Sequence, residues 1–214
     1  MVIAVIADIV GSRRLEDRAD AQRVLDEAIA RVERDRPLAT RPLTPTVGDE
    51  QQGTYPGLGA ALTSLLMLQL ALPDGIGFRF GVGIGEIRPI ESASGPLTDG
   101  PGWWAARKAI DTVHARERGS APNARTWIVG APGQDEVMDS TVATANAYLL
   151  LRDELVGSMS ERERRLAYGR VIGTSQQELA DREGITQPAV SKALRRSGAV
   201  AILQGLAELT GDAA

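Results

Sequence analysis

The sequence predicts an α+β domain, with a mainly antiparallel sheet and helices on one face, followed by a smaller all-helical domain. Short β-branched or glycine-rich runs alternate with helical segments as far as residue 130. After residue 133 only helical periodicity remains, and the terminal segment carries the residues of two helices joined by a tight turn. We therefore predict an α+β domain over 1–133, a helical linker over 134–157 and a helix-turn-helix domain over 158–214.

The first half of the α+β domain contains one strand, one helix and a hairpin. Residues 2–10 form an apolar run typical of a strand that is buried on both faces. Residues 18–34 show apolar positions at helical spacing. Three prolines predict a loop over 36–46, and residues 46–55 predict a β-hairpin with polar residues at its tip.

The second half continues with a helix, a strand, a helix and a strand. An apolar helix is predicted over 59–72, a strand over 76–87, a helix over 103–117 and a strand over 125–129. Glycines alternate along the second of these segments, at Gly81, Gly83 and Gly85. Alternate glycines flatten one face of a strand, so a helix, a subunit or a ligand is expected to approach closely there.

Composition excludes several classes of site. The chain has no cysteine and one histidine, which excludes disulfide scaffolds, thiol catalysis, cysteine-bound zinc and multi-histidine metal sites. The net charge of −4 restricts any nucleic-acid contact to a local patch. The longest apolar stretch, 60–72, is too short for a bilayer, and residues 1–10 lack a basic leader. We therefore expect a cytoplasmic protein without a membrane partner.

Residues 175–196 carry the most specific pattern in the chain. Ser175 and Glu178 are spaced as a capping box that begins one helix, and Gly184 ends that helix. Thr186 is placed to cap the next helix, with Pro188 in its first turn. The predicted inward-facing residues are Leu179, Ala180, Ile185, Val190 and Leu194. This is the arrangement that places a second helix in the major groove of DNA.

The exposed face of the second helix carries the candidate DNA contacts. Gln187, Ser191, Lys192 and Arg195 are suited to base edges, and Thr186 and Arg196 to phosphates. The alternative is a helical hairpin used only for protein contacts. From residue 157 onward there are eight basic and seven acidic residues. This near-neutral charge weakens the argument for DNA without reversing it, because affinity for DNA depends on neutralised phosphates.

Two aspartates form the candidate metal site. Asp8 ends an apolar strand, and Asp49 lies at the tip of the predicted hairpin. Two carboxylates on neighbouring strands form a hard-oxygen site suited to Mg²⁺ or Mn²⁺ with nucleotide phosphates. Alternatively, Asp8 caps the turn at Gly11 and Asp49 only favours the hairpin.

Four short motifs resemble, in order and spacing, those of class III nucleotide cyclases. They are Ile6-Ala-Asp-Ile-Val-Gly11, Val47-Gly-Asp49, Arg79-Phe-Gly-Val-Gly-Ile-Gly85 and Ala105-Ala-Arg107. The resemblance implies a ferredoxin-like core, with Asp8 and Asp49 as the metal ligands. It also implies that the backbone amides of Ile9, Val10 and Gly11 hold phosphates and that Arg107 stabilises developing phosphate charge. If the site were active, Asp8, Asp49 and Arg107 would be its catalytic residues.

A closer resemblance is to the bacterial SatD family. It is carried by Gly48-Asp-Glu-Gln-Gln-Gly53, by Asp99-Gly-Pro-Gly-Trp-Trp-Ala-Ala-Arg107 and by the terminal helix-turn-helix. Residues 159–168 additionally resemble the leading helix of the DNA-binding domain of sigma-factor region 4.

The chain departs from the cyclase pattern at two positions. Trp103 stands where cyclases have an asparagine, and Pro45 where they have the base-selecting lysine. Ring closure without those groups loses substrate orientation, and Asp111 offers Arg107 a helical ion pair instead. These departures favour a degenerate site without turnover.

The sequence as a whole predicts a DNA-binding transcriptional regulator. Its first domain is expected to form a homodimer and to offer a site for a nucleotide ligand with a divalent cation. A metal-dependent nucleotide cyclase or nucleotidyltransferase is the first alternative. A protein-interaction module that binds no DNA is the second.

Overall fold

The computed structural model describes residues 2–10, 18–46, 50–90 and 97–211. The strands are β1 (Ile3–Ile9), β2 (Arg41–Pro45), β3 (Gln51–Tyr55), β4 (Phe78–Ile84), β5 (Arg88–Ile90), β6 (Leu97–Asp99) and β7 (Thr126–Gly130). The helices are α1 (Arg18–Asp35), α2 (Leu58–Ala71), α3 (Pro101–Glu117), α4 (Glu136–Ser158), α5 (Glu161–Val171), α6 (Gln176–Glu183), α7 (Gln187–Arg196) and α8 (Ala199–Thr210).

The main sheet has five strands in the order β2-β3-β1-β4-β7, and the α+β class is confirmed. β1 is antiparallel to both β3 and β4, whereas β4 is parallel to β7. The sheet is therefore mixed, with three antiparallel strand pairs and one parallel pair, and the prediction of a mainly antiparallel sheet is confirmed. The parallel pair arises because α3 intervenes between β4 and β7, and a helical crossover returns the chain in the same direction.

Helices cover both faces of the sheet, so the prediction of helices on one face was wrong. Ala4 and Ile6 of β1 pack in one cluster with α3, through Trp103, Ala106 and Ile110. The intervening residues of β1 belong to the other cluster, with α1 and α2. The reason is visible in β1 itself, which is apolar at almost every position and must be covered on both sides.

The predicted loop over 36–46 contains the edge strand β2. Pro42 and Pro45 lie within this strand. An edge strand tolerates proline because one of its sides has no hydrogen-bonding neighbour, and the register with β3 shifts between Arg41 and Thr44. The prolines are therefore compatible with a strand at the edge of the sheet, although they exclude a strand at its centre.

The opposite edge of the sheet is covered by α4. The Asn146 side chain accepts a hydrogen bond from the Ile128 amide at 2.8 Å and donates one to the Ile128 carbonyl at 2.9 Å. One side chain thus replaces a neighbouring strand at the centre of β7. The Asp153 carboxylate accepts from the amides of Arg125 and Thr126 at 2.7 and 2.8 Å. These contacts fix α4 along the edge of β7.

α2 lies in the middle of the molecule and is buried along most of its length. The same hydrophobic cluster contains Leu65 of α2, Val5 of the sheet and Leu166, Leu194 and Leu206 of the terminal helices. A continuous core therefore crosses residues 133 and 157, and the predicted domain boundaries stay predictions. In the described part of the chain, no helix combines the length and the apolarity that a bilayer crossing requires.

Candidate functional site

The turn between α6 and α7 has the predicted caps. The Ser175 side chain accepts a hydrogen bond from the Glu178 amide at 3.2 Å, and the Glu178 carboxylate accepts one from the Ser175 amide at 2.9 Å. Gly184 ends α6 with a φ of +65°, which a glycine adopts without strain. Thr186 caps α7 by accepting from the Ala189 amide at 3.4 Å.

Apolar residues of α6 and α7 hold the two helices against α5 and α8. The residues predicted to face inward at Leu179, Ala180, Val190 and Leu194 are buried, and Ile185 in the turn is half-buried. Gly169 of α5 adds a close contact, because a Cβ there would meet the Leu179 side chain at 2.5 Å. The packing therefore fixes α7 with its opposite face toward solvent.

The solvent-facing side of α7 is cationic. Lys192, Arg195 and Arg196 are exposed, and in the part of the chain that is described none of them forms an ion pair. Arg195 donates to the Ser191 hydroxyl at 3.0 Å. Gln187 donates to the Gln176 side chain at 2.8 Å. Three cations are thus available on this surface, while Gln187 and Ser191 already have side-chain partners.

Two acidic residues of the same segment, Glu178 and Glu183, have partners away from the exposed face of α7. Glu183 forms ion pairs with Arg165 at 2.8 Å and Arg162 at 3.7 Å, on the side of α5. The hydrogen bond from Arg165 lowers the pKa of Glu183, and the backbone hydrogen bond from Ser175 lowers the pKa of Glu178. The cations of α7 and these two carboxylates therefore lie on different parts of the segment. For this reason α7 has a positive face although the net charge of the segment from residue 157 onward is near zero.

Asp8, at the end of β1, is held in a network of charges between β4 and α3. Arg79 lies directly opposite Asp8 in the antiparallel register and donates to its carboxylate at 2.8 Å. The same guanidinium donates to Glu117, which also pairs with Arg125 at 3.1 Å. Burial disfavours the charge of Arg79, which is 7 % exposed, but hydrogen bonds with Asp8 and Glu117 hold its pKa above the usual value.

The predicted metal pair is only half described, since Asp49 lies outside the described residues. The Arg79 guanidinium donates to one oxygen of the Asp8 carboxylate at 2.8 Å, and the assignment of Asp8 and Asp49 as metal ligands stays a prediction. Arg79 was not predicted as the partner of Asp8. The available signal was that each is a charged residue inside an otherwise apolar strand.

Residues predicted to hold a nucleotide are engaged within the fold. Arg107 forms an ion pair with Glu50 at 2.6 Å rather than with Asp111, and this contact joins α3 to the residue that precedes β3. The Val10 amide donates to the Gly77 carbonyl at 2.8 Å, and Ile9 is paired with Phe78 in the sheet. Gly11 lies outside the described residues. These assignments therefore stay predictions.

Trp103 and Trp104 point in different directions from the first turn of α3. Trp103 is 7 % exposed and donates from its indole nitrogen to the Thr98 hydroxyl at 3.1 Å. Trp104 is 63 % exposed and donates to the Asp99 carboxylate at 3.2 Å. Trp103 is thus a core residue that contacts β6 through Thr98.

Comparison with known proteins identifies the family. No curated protein matches the sequence. The model of the SatD family matches residues 2–205, a span that includes the sheet, α2 and the α6–α7 pair. Since this match extends over nearly the whole chain, the protein belongs to the SatD family.

Proposed function

We propose that this protein is a DNA-binding regulator in which α6 and α7 form a helix-turn-helix. The observation that carries the proposal is the cationic face of α7, where Lys192, Arg195 and Arg196 are exposed without ion pairs among the described residues. Exposed cations beside a duplex release condensed counterions, and this release drives association with phosphates. A helix of ten residues held by its opposite face is free to enter a major groove.

Each residue of this surface has a role in the proposal. Lys192 and Arg195 reach base edges, and Arg196 contacts a phosphate. Thr186 keeps its capping bond and offers its position at the start of α7 to a second phosphate. Gln187 exchanges its bond with Gln176 for an adenine edge when the duplex is bound.

A homodimer completes the proposal, because one recognition helix reads only a few base pairs. The exposed face of α4 offers a surface for it. Val137 and Leu151 are 74 % and 69 % exposed, and the exposed Thr144 lies midway between them, seven residues from each. An antiparallel two-fold pairing with Thr144 on the axis places Val137 of one copy against Leu151 of the other. Leu151→Lys is expected to convert the dimer to a monomer in sedimentation, whereas a wild type that sediments as a monomer at micromolar concentration contradicts this arrangement.

Nucleotide turnover is not part of the proposal. The two described residues that it would need are held by other side chains, Asp8 by Arg79 and Arg107 by Glu50. Both contacts are consistent with structural roles on the α3 side of the sheet.

Selection of bound duplexes from a random DNA pool tests the proposed function. The wild type is expected to enrich a recurrent sequence, and Lys192→Ala with Arg195→Ala is expected to lose that enrichment. Arg162→Ala is the matched control, since it removes a cation of α5 that is paired with Glu183. Recovery of the unselected pool by the wild type, or the same enriched sequence from the α7 double variant, would contradict the assignment of α7.

A further inference from the structure

A cavity of about 450 Å³ lies between α2, the end of α5 and the helices α6, α7 and α8. Its apolar wall includes Leu194 of α7 and Leu203 and Leu206 of α8. The volume lies within the range of about 300–1,000 Å³ that is typical of small-molecule sites. The cavity is therefore large enough for a ligand and has an apolar surface to receive one.

Two arginines give this cavity its charge. Arg36, which follows α1, and Arg170 of α5 both line it, and no carboxylate of the described residues does. Each guanidinium donates to a backbone carbonyl, Arg36 to Val171 at 3.4 Å and Arg170 to Thr174 at 2.7 Å. Within the described ranges neither forms an ion pair. An apolar wall next to two such cations complements a molecule with one anionic end and one apolar end.

We propose that the cavity binds a monocarboxylic acid with an apolar chain of medium length. The carboxylate lies between Arg36 and Arg170, and the chain lies against Leu203 and Leu206. We further propose that the bound acid weakens DNA binding, and this second part rests on the proposed function.

Two contacts connect the cavity to the DNA-facing helix. Leu194, which anchors α7 in the core, forms part of the cavity wall. Gln176 also lines the cavity, and it accepts the hydrogen bond that holds Gln187 at the first position of α7. A bound acid therefore touches residues that set the position of α7, and it adds negative charge to the terminal helices.

Binding is tested first, on the full chain and without DNA. Octanoate is titrated calorimetrically, with octylamine as the probe of the same chain and opposite charge. We expect octanoate to bind and octylamine to fail, and we expect at least a tenfold loss of octanoate affinity in Arg36→Gln. Arg36 is exposed, so this variant is expected to fold, and its thermal unfolding is compared with that of the wild type.

A second variant fills the cavity without altering its charge. Ala207→Trp places a large side chain at the half-buried wall of α8 and is expected to abolish octanoate binding. No binding of octanoate to the wild type, equal binding of octylamine, or unchanged affinity in both variants would overturn the assignment of the cavity.

Coupling to DNA is tested separately, with a duplex obtained by selection. Octanoate at saturation is expected to weaken DNA binding by the wild type at least about fivefold and to leave DNA binding by Arg36→Gln unchanged. If octanoate binds but the protein binds no DNA, the cavity assignment holds and the proposed function fails. If both bind without affecting one another, the regulatory part is overturned and the proposed function stands.

Discussion

Asp8 and Arg79 show how single residues are accommodated inside the sheet. An isolated carboxylate at the end of a buried strand would be costly, and the guanidinium on the adjacent strand compensates for it. Arg79 also satisfies Glu117, so one buried cation serves two carboxylates. If Arg79 were removed, both carboxylates would stay partly buried and would lose the guanidinium that donates to them.

Arg79→Met is therefore expected to destabilise the fold by about 3 kcal/mol, the cost of breaking a buried ion pair from one side. The free energy of unfolding in urea is the measurement. Arg88→Met is the control, because the ion pair of Arg88 with Glu86 is exposed to solvent and contributes little to stability. Equal midpoints for Arg79→Met and the wild type would contradict a structural role for this network.

The ion pair between Arg165 and Glu183 predicts a pH dependence. Because the hydrogen bond from Arg165 lowers the folded-state pKa of Glu183 from 4.5, this contribution to stability is complete above that value. It is lost as the pH falls through the folded-state pKa. We expect the melting temperature of Arg165→Gln to fall less steeply than that of the wild type between about pH 5 and pH 3.

Glu183→Gln is the matched variant for this experiment and is expected to give the same shallower dependence. If the melting temperatures of the wild type and both variants fall equally steeply with pH over that interval, the ion pair does not contribute to folding.

At the scale of elements, the close packing of α3 on β4 is the feature that the sequence predicted best. Alternating glycines indicated that something approaches the strand closely, and α3 is what lies there. A Cβ at Gly81 would collide with the backbone of Ala106 and Ile110, and one at Gly83 with the backbone of Gly102 and Ala106. Backbone atoms cannot move aside as a flexible side chain can, so this interface requires glycine.

Gly83→Ala is accordingly expected to destabilise the protein by about 3 kcal/mol or more, through overpacking. Gly57→Ala is the control, since its backbone is extended and no atom lies within 4 Å of the added Cβ. Urea denaturation of the two variants measures the difference. A Gly83→Ala variant as stable as Gly57→Ala would show that α3 and β4 can separate at little cost.

Other elements could not be predicted because their cause lies outside their own sequence. β2 is a strand despite two prolines, since an edge position requires fewer amide donors, and edge position depends on the strand order of the whole sheet. The hydrogen bond that Asn146 accepts from β7 could not be predicted either, because it depends on where α4 packs against the sheet. Local caps, by contrast, depend on residues three or four apart, and those at Ser175, Gly184 and Thr186 were predicted correctly.

The candidate site likewise has features that the sequence predicts and features that depend on the rest of the fold. The residues of the α7 face follow from helical periodicity and were predicted. That its cations lack ion pairs among the described residues was not predictable, because the acids of this segment are drawn to Arg162 and Arg165 of α5 and to helix caps. The partner of Asp8 was likewise set by strand register, which the sequence pattern does not define.

At the scale of the whole molecule, one hydrophobic cluster joins the sheet to the terminal helices through α2. The terminal helices are thus packed on the core of the α+β part. We expect a single calorimetric unfolding transition, with equal calorimetric and van't Hoff enthalpies. A chain truncated after residue 157 would expose the outer side of α2 and is expected to aggregate or unfold. Two resolved transitions would instead show that the two parts fold independently.

The central claim, that α7 binds DNA through its exposed cations, is tested most directly by the salt dependence of binding. Fluorescence anisotropy with a labelled duplex gives the slope of log K against log salt for the wild type, for Arg196→Ala, for Lys192→Ala with Arg195→Ala, and for Arg162→Ala. This claim predicts a negative wild-type slope that is reduced in magnitude by about one in Arg196→Ala, which removes the proposed phosphate contact. The double variant, which removes the proposed base contacts, is expected to bind more weakly than the wild type, and Arg162→Ala is expected to keep the wild-type affinity and slope. Binding that is absent at low salt, or an α7 double variant with the wild-type affinity and slope, would contradict it.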